Sequence, residues 1–409
     1  MSDVIDFAGD QKSGRSGRAP RTERMQRIAA SPFVWRDPAT LPRRRWLYGT
    51  VYIRRFLSLL IAAGEVGKTA LLIAEALALV TARDLLGVRP RERCRVWLIN
   101  LEDPMEELER RVLAAMLHFG IDRDEVEGWL FLDSGRDMRV LLTMNKDGAL
   151  AIDPVASEAI IGTMQENQID VLILDPFVSL HTGQENDNVA IDMIAKELGR
   201  IAELTNASIM LAHHSRKIYE GEVKVEDSRG ASALLAAARV ARVLNKMPKA
   251  DAERWEIDNP RLYFRADNGK SNLAPPAEKA DWHHIASVRL GNGTRDPSNP
   301  FDFNQDDGDS VGVVTTWEPP SALAELTVGD LEEVQRRVRA GKWRESPQAA
   351  AWVGKVVADV KGWDLTKPGT KKKVNGVLGS WYASKALEVY SDQTDKREWK
   401  DHVRVGPAQ

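Results

Sequence analysis

Cysteine is almost absent from this sequence, because Cys94 is the only one among 409 residues. A single thiol excludes an intramolecular disulfide and any zinc cluster built from several cysteines. We expect Cys94 to be a small buried side chain beside the apolar strand that follows it.

Long apolar runs are missing as well. No uninterrupted apolar stretch is long enough to span a bilayer, and the first residues, MSDVIDFAGD, are polar and acidic, unlike a secretory signal. A hydrophobic content of 43% and a charged content of 29% are ordinary for a globular protein, and the length suffices for two or three domains. We therefore expect a cytoplasmic protein of more than one domain.

The net charge of −3 conceals an uneven distribution. Residues 336–409 carry 16 basic against 8 acidic side chains, residues 1–30 carry 6 against 4, and the body between them has a net charge of −13. A basic end on an acidic body favours contact with an anionic polymer at that end. A solvated basic face is the alternative that the charges alone leave open.

Composition and periodicity divide the chain into four parts. Residues 1–30 have no periodicity and are predicted to form a disordered basic tail. In residues 31–293, buried strands alternate with amphipathic helices, which predicts an α/β fold with a mostly parallel, twisted sheet flanked by helices. Residues 294–320 are rich in turn formers and are predicted to be a linker. Two amphipathic helices and a hairpin in residues 321–409 predict a small winged-helix-like domain.

The second helix of that C-terminal domain begins with three lysines, Lys371, Lys372 and Lys373. A winged helix places such a helix in the major groove of DNA, so these lysines are candidate phosphate contacts. Gly376 and Gly379 lower the helix propensity of the same segment. A protein-docking role for this domain is the alternative.

The clearest motif lies in LLIAAGEVGKTALLIAEAL, residues 59–77. A strand-length apolar run, a short loop and an apolar helical run form the setting that a phosphate-binding loop requires. Ala62 stands where the usual pattern G-x-x-x-x-G-K-[ST] begins with glycine, and a small side chain is compatible because this residue precedes the inward-turned amides. A chance match in a turn is the alternative.

This loop predicts a nucleotide site with Mg²⁺ as its metal. Lys68 should reach the β- and γ-phosphates, and the Thr69 hydroxyl should bind Mg²⁺. Backbone amides and the helix N-terminus supply further positive potential, whereas the Glu65 carboxylate must point outward. The candidate nucleotide-binding residues are Gly64, Glu65, Val66, Gly67, Lys68, Thr69 and Ala70.

Acidic residues follow two other apolar runs of strand length. VLILDP places Asp175 at a strand end, where a carboxylate can hold Mg²⁺, although such an aspartate can also cap the following turn. NLEDP does the same for Glu102 and Asp103. A carboxylate in this position can orient and deprotonate an attacking water.

The segment LAHHSRK ends a further strand with His213 and His214. A polar side chain there can sense the γ-phosphate, and a zinc fragment is the weaker alternative because no other Cys/His cluster lies nearby. The following loop is long and basic, which indicates either a working loop or a solvated excursion. Its candidate DNA-binding residues are Arg216, Lys217, Lys224 and Arg229.

Seven segments in this order carry a family resemblance: AAGEVGKT, LINLEDP, VLILDPF, ENDN, LAHHSRK, DSRGASALLAAAR and DNGKSN. Together they resemble the RecA-like P-loop ATPases of plasmid and phage replication, in particular the RepA-type hexameric replicative DNA helicases. The resemblance covers residues 35–290 and excludes the basic tail and the C-terminal domain. It implies a RecA-like core, a hexameric ring, ATP sites shared between neighbouring subunits, and single-stranded DNA as the partner.

The resemblance also implies roles for individual residues. Glu102 matches the catalytic carboxylate, and His214, or less favourably His213, matches the sensor of the γ-phosphate. Arg239 matches an arginine finger donated to the neighbouring subunit, and Lys270 in GKSN is a second cation in trans. An ordinary surface arginine at 239, with Arg242 as the finger, is the alternative. A RecA-like recombinase or a regulatory ATPase shares this core, so unwinding is not implied uniquely.

Overall fold

The computed structural model describes residues 30–146, 149–181, 187–215, 221–227, 231–275, 279–294, 308–320, 325–367, 369–393 and 398–407. It divides the chain into two compact units, residues 1–43 and 44–409. The described part of the first unit contains a single 3₁₀ turn, Pro38–Thr40, whose first amide is capped by the Asp37 carboxylate. No helix among the described residues is both long and apolar enough to cross a membrane.

The strands of the second unit are β1 (Trp46–Tyr48), β2 (Tyr52–Ile53), β3 (Leu57–Ala62), β4 (Val96–Asn100), β5 (Leu130–Ser134), β6 (Thr143–Lys146), β7 (Ala149–Ile152), β8 (Val171–Asp175), β9 (Ser208–His214), β10 (Val240–Lys246), β11 (Tyr263–Ser271), β12 (Asp281–Arg289), β13 (Ser310–Thr316), β14 (Trp343–Arg344), β15 (Leu387–Gln393) and β16 (Trp399–Val405). Its helices are α1 (Lys68–Thr81), α2 (Met105–Phe119), α3 (Arg123–Val126), α4 (Pro154–Glu166), α5 (Asn188–Thr205), α6 (Ala231–Ala237), α7 (Lys249–Arg254), α8 (Val328–Ala340), α9 (Gly354–Lys361) and α10 (Thr370–Ala383).

The main sheet has the strand order β13-β12-β11-β10-β3-β9-β8-β4-β5 among the described residues. The six strands from β10 to β5 are parallel, and β11, β12 and β13 extend the sheet in antiparallel fashion. β9 lies between β3 and β8, so the carboxyl ends of β3, β9, β8 and β4 lie side by side at one end of the parallel strands, here called the carboxyl edge. Ligands bind at the carboxyl edge in open α/β sheets.

Helices cover both faces of the parallel strands because alternate strand residues point to opposite faces. Leu60 and Ala62 of β3 pack in the core that contains α1 and α2, whereas Leu59 and Ile61 pack in the core that contains α4 and α5. The interior strands are buried on both faces, which explains their continuous apolar sequences. The predicted fold class, a mostly parallel sheet flanked by helices, is confirmed.

The sequence predicts a linker over residues 294–320, and the structure differs from this prediction. Ser310–Thr316 instead forms β13, the edge strand of the main sheet, with Val313 and Val314 buried beside α1 and α2. The turn formers before it lie partly in residues 295–307, outside the described residues. The burial and high β propensity of two adjacent valines therefore favour a strand here despite the polar residues around them.

Residues 325–407, here called the C-terminal module, have a third hydrophobic core of their own. The elements follow the order α8, β14, α9, α10, β15, β16, and the three strands form a small antiparallel sheet in the order β14-β16-β15. Gly376 and Gly379 lie within α10 on its exposed face, so they do not interrupt its buried side. α9, α10 and the terminal hairpin correspond to the two predicted helices and the predicted hairpin, whereas α8 and β14 were not predicted. The winged-helix assignment stays a prediction.

A buried ion pair joins α1 to the main sheet. Arg242 of β10 donates from its two terminal nitrogens to the Glu75 carboxylate of α1, at 2.7 and 3.0 Å, and both side chains are almost fully buried. The Tyr52 hydroxyl also donates to Glu75, at 2.7 Å. Burial raises the pKa of this tyrosine well above its usual range, and the neighbouring Glu75 charge raises it further. Arg242 is therefore committed to the interior of its own subunit.

Removing one partner of this pair should destabilise the fold strongly. Arg242→Met leaves the Glu75 carboxylate buried without its cation, and we expect a loss of about 3–5 kcal/mol in the free energy of unfolding. Arg123→Met is the matched control, because the Arg123–Glu127 pair is exposed and should contribute less than about 1 kcal/mol. Urea unfolding measures both variants; equal losses would contradict a structural role for the buried pair.

Candidate nucleotide-binding site

The loop between β3 and α1 alternates ordinary and left-handed residues. Glu65 has φ 61° and Gly67 has φ 105°, whereas Gly64 does not adopt a positive φ. Ala62 is the last, fully buried residue of β3, so the glycine of the usual pattern is replaced at a position outside the turn. The left-handed residues turn successive amides to one side, as in anion-binding nests. The Glu65 side chain is exposed, in agreement with its expected outward direction.

Gly67 is required by space as well as by conformation. A Cβ atom at this position would lie 3.2 Å from Phe264 of β11 and 3.3 Å from Ile285 of β12. The same construction at Gly64 meets nothing within 4 Å. The antiparallel strands therefore press against the loop directly before α1, a contact that the sequence analysis does not anticipate.

Lys68 and Thr69 converge on Asp175 at the carboxyl edge of the sheet. The Thr69 hydroxyl donates a 2.6 Å hydrogen bond to Asp175 Oδ2, and Lys68 Nζ lies 3.7 Å from Asp175 Oδ1. That second distance is too long for a hydrogen bond, and the 8%-exposed Lys68 has a buried Nζ without a hydrogen-bond partner among the described residues. Burial lowers the pKa of Lys68, while Asp175 and Glu102 oppose this shift.

Such a buried ammonium fits a phosphate. An unsatisfied buried cation is costly, and phosphate oxygens approaching the loop amides would give Lys68 the acceptors that it lacks. The described residues contain no group of three or more His, Cys, Asp or Glu side chains suited to hold a metal by themselves. Thr69 and Asp175 are instead the kind of sparse ligand set that Mg²⁺ uses together with nucleotide phosphates.

The end of β4 presents Glu102 beside the loop. Asn100, the last residue of β4, accepts hydrogen bonds from the amides of Glu102 and Asp103 at 2.9 and 2.8 Å. The Glu102 side chain is 56% exposed, and its Oε1 lies 3.9 Å from His214 Nε2. Asp103 is held differently, by a 3.3 Å ion pair with Arg111. The turn thus directs Glu102 towards the open edge and Asp103 towards α2.

Asn100 is a site residue that the sequence analysis missed. Its position before LEDP is the available signal, because an asparagine at a strand end commonly caps the amides of the following turn. Its side chain positions Glu102 by accepting the hydrogen bonds of this turn.

The two adjacent histidines have different surroundings. His213 is buried, with its ring 5.7 Å from the Phe177 ring in an edge-to-face arrangement. His214 is 34% exposed and faces Glu102. This geometry favours His214 over His213 as the residue that responds to the nucleotide.

Arg239 and Lys270 lie near the amino ends of the parallel strands, opposite the carboxyl edge. The Arg239 amide donates to the carbonyl of Leu57, the first residue of β3, so about 17 Å of strand separates it from the loop at the end of β3. Lys270 is paired with Ala241 and donates to the Leu235 carbonyl. Burial, and then the neighbouring Arg239 charge, lower the pKa of Lys270. Neither cation reaches the phosphate loop of its own chain.

The candidate DNA-binding residues are only partly described. Arg216, Lys217 and Arg229 lie outside the described residues. Lys224 is exposed, and its amide donates to the Asp227 carboxylate in a 3₁₀ turn.

The three C-terminal lysines are not equivalent. Lys371 is exposed, and Lys372 Nζ lies 3.9 Å from Asp251. Lys373 donates to both carboxylate oxygens of Glu325, at 2.7 and 2.8 Å, and lies over a tryptophan ring. All three lysines stay candidate phosphate contacts, and Lys373 already makes a contact within the C-terminal module.

A cleft of about 360 Å³ opens beside the first turn of α1. It is lined by Ala70 of α1, by Glu107, Arg110 and Arg111 of α2, and by residues 309–312 at the beginning of β13.

Comparison with known proteins gives one family match and one structural similarity. Residues 20–219 match a family model described as an AAA domain, a range that includes the loop, Glu102, Asp175 and both histidines and ends before Arg239. Among solved structures, the chain is similar to one described as the crystal structure of the RadB recombinase, at 12% identity and a TM-score of 0.39, over 57% of this chain and 89% of that chain. At that TM-score the likeness is too weak to add to the topology.

The residues that match the AAA domain model include the loop between β3 and α1. A RecA-like P-loop ATPase core stays a prediction, which this match favours. Membership of the RepA-type helicase family goes beyond this match and stays a prediction.

The two glycines of the loop should respond differently to an added methyl group. Gly67→Ala combines an unfavourable φ with crowding by Phe264 and Ile285, so we expect a loss of about 1–3 kcal/mol in stability and weaker nucleotide binding. Gly64→Ala should change stability by less than about 1 kcal/mol, because its conformation and surroundings accept a methyl group. Thermal unfolding with and without a fluorescent ATP analogue distinguishes them; equal effects would contradict this description of the loop.

Proposed function

We propose that this protein is an ATP-hydrolysing DNA helicase or translocase that acts in replication of a plasmid, phage or other mobile element. The observation that carries the ATP-dependent part is the buried, unsatisfied ammonium of Lys68 beside Asp175 and the loop amides. The DNA-dependent part draws on the motif resemblance and on the basic C-terminal end. The proposed function combines both parts: ATP hydrolysis moves DNA past the ATPase core.

In this mechanism, the loop amides and Lys68 hold the β- and γ-phosphates, and Thr69 and Asp175 hold Mg²⁺. When bound, Mg²⁺ neutralises charge that develops on the transferred phosphoryl group. Glu102 accepts the proton of the attacking water, because it is the exposed carboxylate that the strand end directs towards the loop. His214 lies next to Glu102 and begins the basic loop, so it can report the state of the site to residues that contact DNA.

The proposal places Arg239 and Lys270 at the ATP site of a neighbouring subunit. They are two adjacent cations at the edge opposite their own phosphate loop, so a head-to-tail ring would bring them to the next site. Arg242 does not compete for this role, since its guanidinium is buried against Glu75. We therefore propose a homo-oligomer, most simply a hexamer, with shared sites.

Strand displacement on a forked DNA substrate tests the helicase function. The protein with ATP and Mg²⁺ should release the shorter strand, and a Lys68→Ala protein should not. ATP hydrolysis that single-stranded DNA stimulates without strand release would contradict unwinding. Long filaments in negative-stain images, in place of closed rings, would then favour the recombinase-like alternative.

Glu102 should matter for hydrolysis more than for binding. Glu102→Gln preserves size and hydrogen bonding but removes the base, so we expect kcat to fall by about 10²–10⁴-fold with little change in nucleotide affinity. Asp103→Asn is the matched control, because Asp103 pairs with Arg111 and faces α2. Steady-state ATPase rates and ATP-analogue binding measure the two effects; wild-type turnover in Glu102→Gln would remove this residue from the mechanism.

A shared site predicts complementation between two inactive proteins. Arg239→Ala has an intact loop without a finger, and Lys68→Ala has a finger without a working loop. An arginine finger contributes about 10³–10⁵ to the rate, so each protein alone should be nearly inactive. In mixed rings, some interfaces combine an intact loop with an intact finger, and activity should reappear. Normal hydrolysis by Arg239→Ala alone, or inactive mixtures with proven co-assembly, would refute the shared site.

A further inference from the structure

Helix α7 of the ATPase core lies against the beginning of α10 in the C-terminal module. Gly369 precedes α10, and a Cβ built on it would lie 3.0 Å from Arg254 Cα and 3.3 Å from the Glu253 carbonyl oxygen. Two turns further along α10, a Cβ on Gly376 would lie 3.8 Å from an Arg254 guanidinium nitrogen. α7 therefore lies against the N-terminal end of α10, and Gly369 permits the close approach, whereas a Cβ on Gly376 would make only an ordinary van der Waals contact.

Carboxylates accompany the lysines at this end of α10. Asp251 of α7 lies 3.9 Å from Lys372 Nζ, and Glu325 accepts two hydrogen bonds from Lys373. A phosphate group in contact with the same lysines would have to displace these carboxylates. Lys372 and Lys373 thus already have anionic partners within the chain.

The contact between α7 and α10 is polar and loosely packed. Two cavities of about 110 and 130 Å³ lie along it, and Arg254, Glu256 and Lys373 contribute to the walls of both. Gaps and charged walls are typical of contacts between domains that move relative to one another, whereas permanent interfaces are better packed and more apolar. The contact therefore has the character of one that can open.

We propose that α7 is an autoinhibitory element that covers the DNA-reading end of α10, so that the C-terminal module contacts duplex DNA only after α7 and α10 separate. This inference rests on the proposed DNA-binding function of the module. A helix that reads the major groove presents its N-terminal residues to the base edges. Lys372 and Gly376 remain exposed to solvent, but a duplex that enclosed the beginning of α10 would overlap Arg254, whose main chain lies against Gly369.

A charge reversal on α7 should release the module in the full-length protein. Asp251→Arg places a cation opposite Lys372, and we expect about three- to tenfold tighter binding of a fluorescent DNA duplex than in the control. Asp258→Arg is that control, because it changes the charge of the chain equally at an exposed residue that contributes to neither cavity. The comparison separates release of α10 from a general increase in positive charge.

A reversible crosslink between α7 and α10 tests whether preventing their separation weakens duplex binding. The variant Arg254→Cys/Gly376→Cys can be joined by a cleavable bis-maleimide across the contact without altering the lysines. Cys94 should not react, because it is buried and burial raises its pKa to about 12. The locked protein should bind duplex at least about tenfold more weakly than the same protein before coupling, and cleavage of the linker should restore binding. ATP-analogue binding reports that the core remains folded.

The results separate this inference from the function on which it rests. Tighter binding by Asp251→Arg than by Asp258→Arg, together with loss on locking, supports autoinhibition. Equal binding by the two arginine variants, or unchanged binding by the locked protein, overturns it. If no variant binds duplex at low salt while ATP binding persists, the DNA-binding role of the module is refuted and the inference falls with it, whereas the ATPase proposal stands.

Discussion

The ion pair between Glu75 and Arg242 is the constraint on which the nucleotide site depends. It joins the helix that follows the phosphate loop to a strand that lies next to β3, in a region from which water is excluded. Two charges in such surroundings are tolerated only when each satisfies the other, so α1 can take few positions relative to the sheet. Lys68 and Thr69, at the start of α1, are thereby held against the end of β8.

The strand order then determines which side chains meet at the site. Since β9 lies between β3 and β8, the loop faces three strand ends instead of one, and these ends contribute His214, Asp175 and, from β4, Glu102. Asp175 is the common partner because it accepts a hydrogen bond from Thr69 and lies near Lys68. Thr69 and Asp175, more than 100 positions apart in sequence, are thereby brought together.

The buried parallel strands could be predicted from sequence because their environment is uniform. β3, β4, β8 and β9 are apolar on both faces, so each appears in the sequence as a continuous apolar run. Glu102 and Asp175 could be predicted as strand-end carboxylates because they stand where two of these runs stop. The predicted outward direction of Glu65 also agrees with the structure.

Other features could not be predicted because they depend on tertiary contacts. β11 and β12 are only half-buried and contain polar residues, so their composition gives no clear strand pattern. Nothing in KKK distinguishes the exposed Lys371 from Lys373, whose partner Glu325 lies 48 residues earlier. The close approach of Arg254 to Gly369, directly before α10, likewise depends on how the C-terminal module packs, which periodicity does not report.

The contact of Phe264 and Ile285 with Gly67 has a consequence for how this sequence can diverge. The phosphate loop is completed by side chains almost 200 and more than 200 residues further along the chain, so it is not a self-contained cassette. Bulkier replacements on β11 or β12 would crowd the loop backbone, and a loop grafted from another protein would meet a surface shaped for a glycine. Mutations in the two regions should therefore be accepted in pairs, and the antiparallel extension must be inherited together with the loop that it supports.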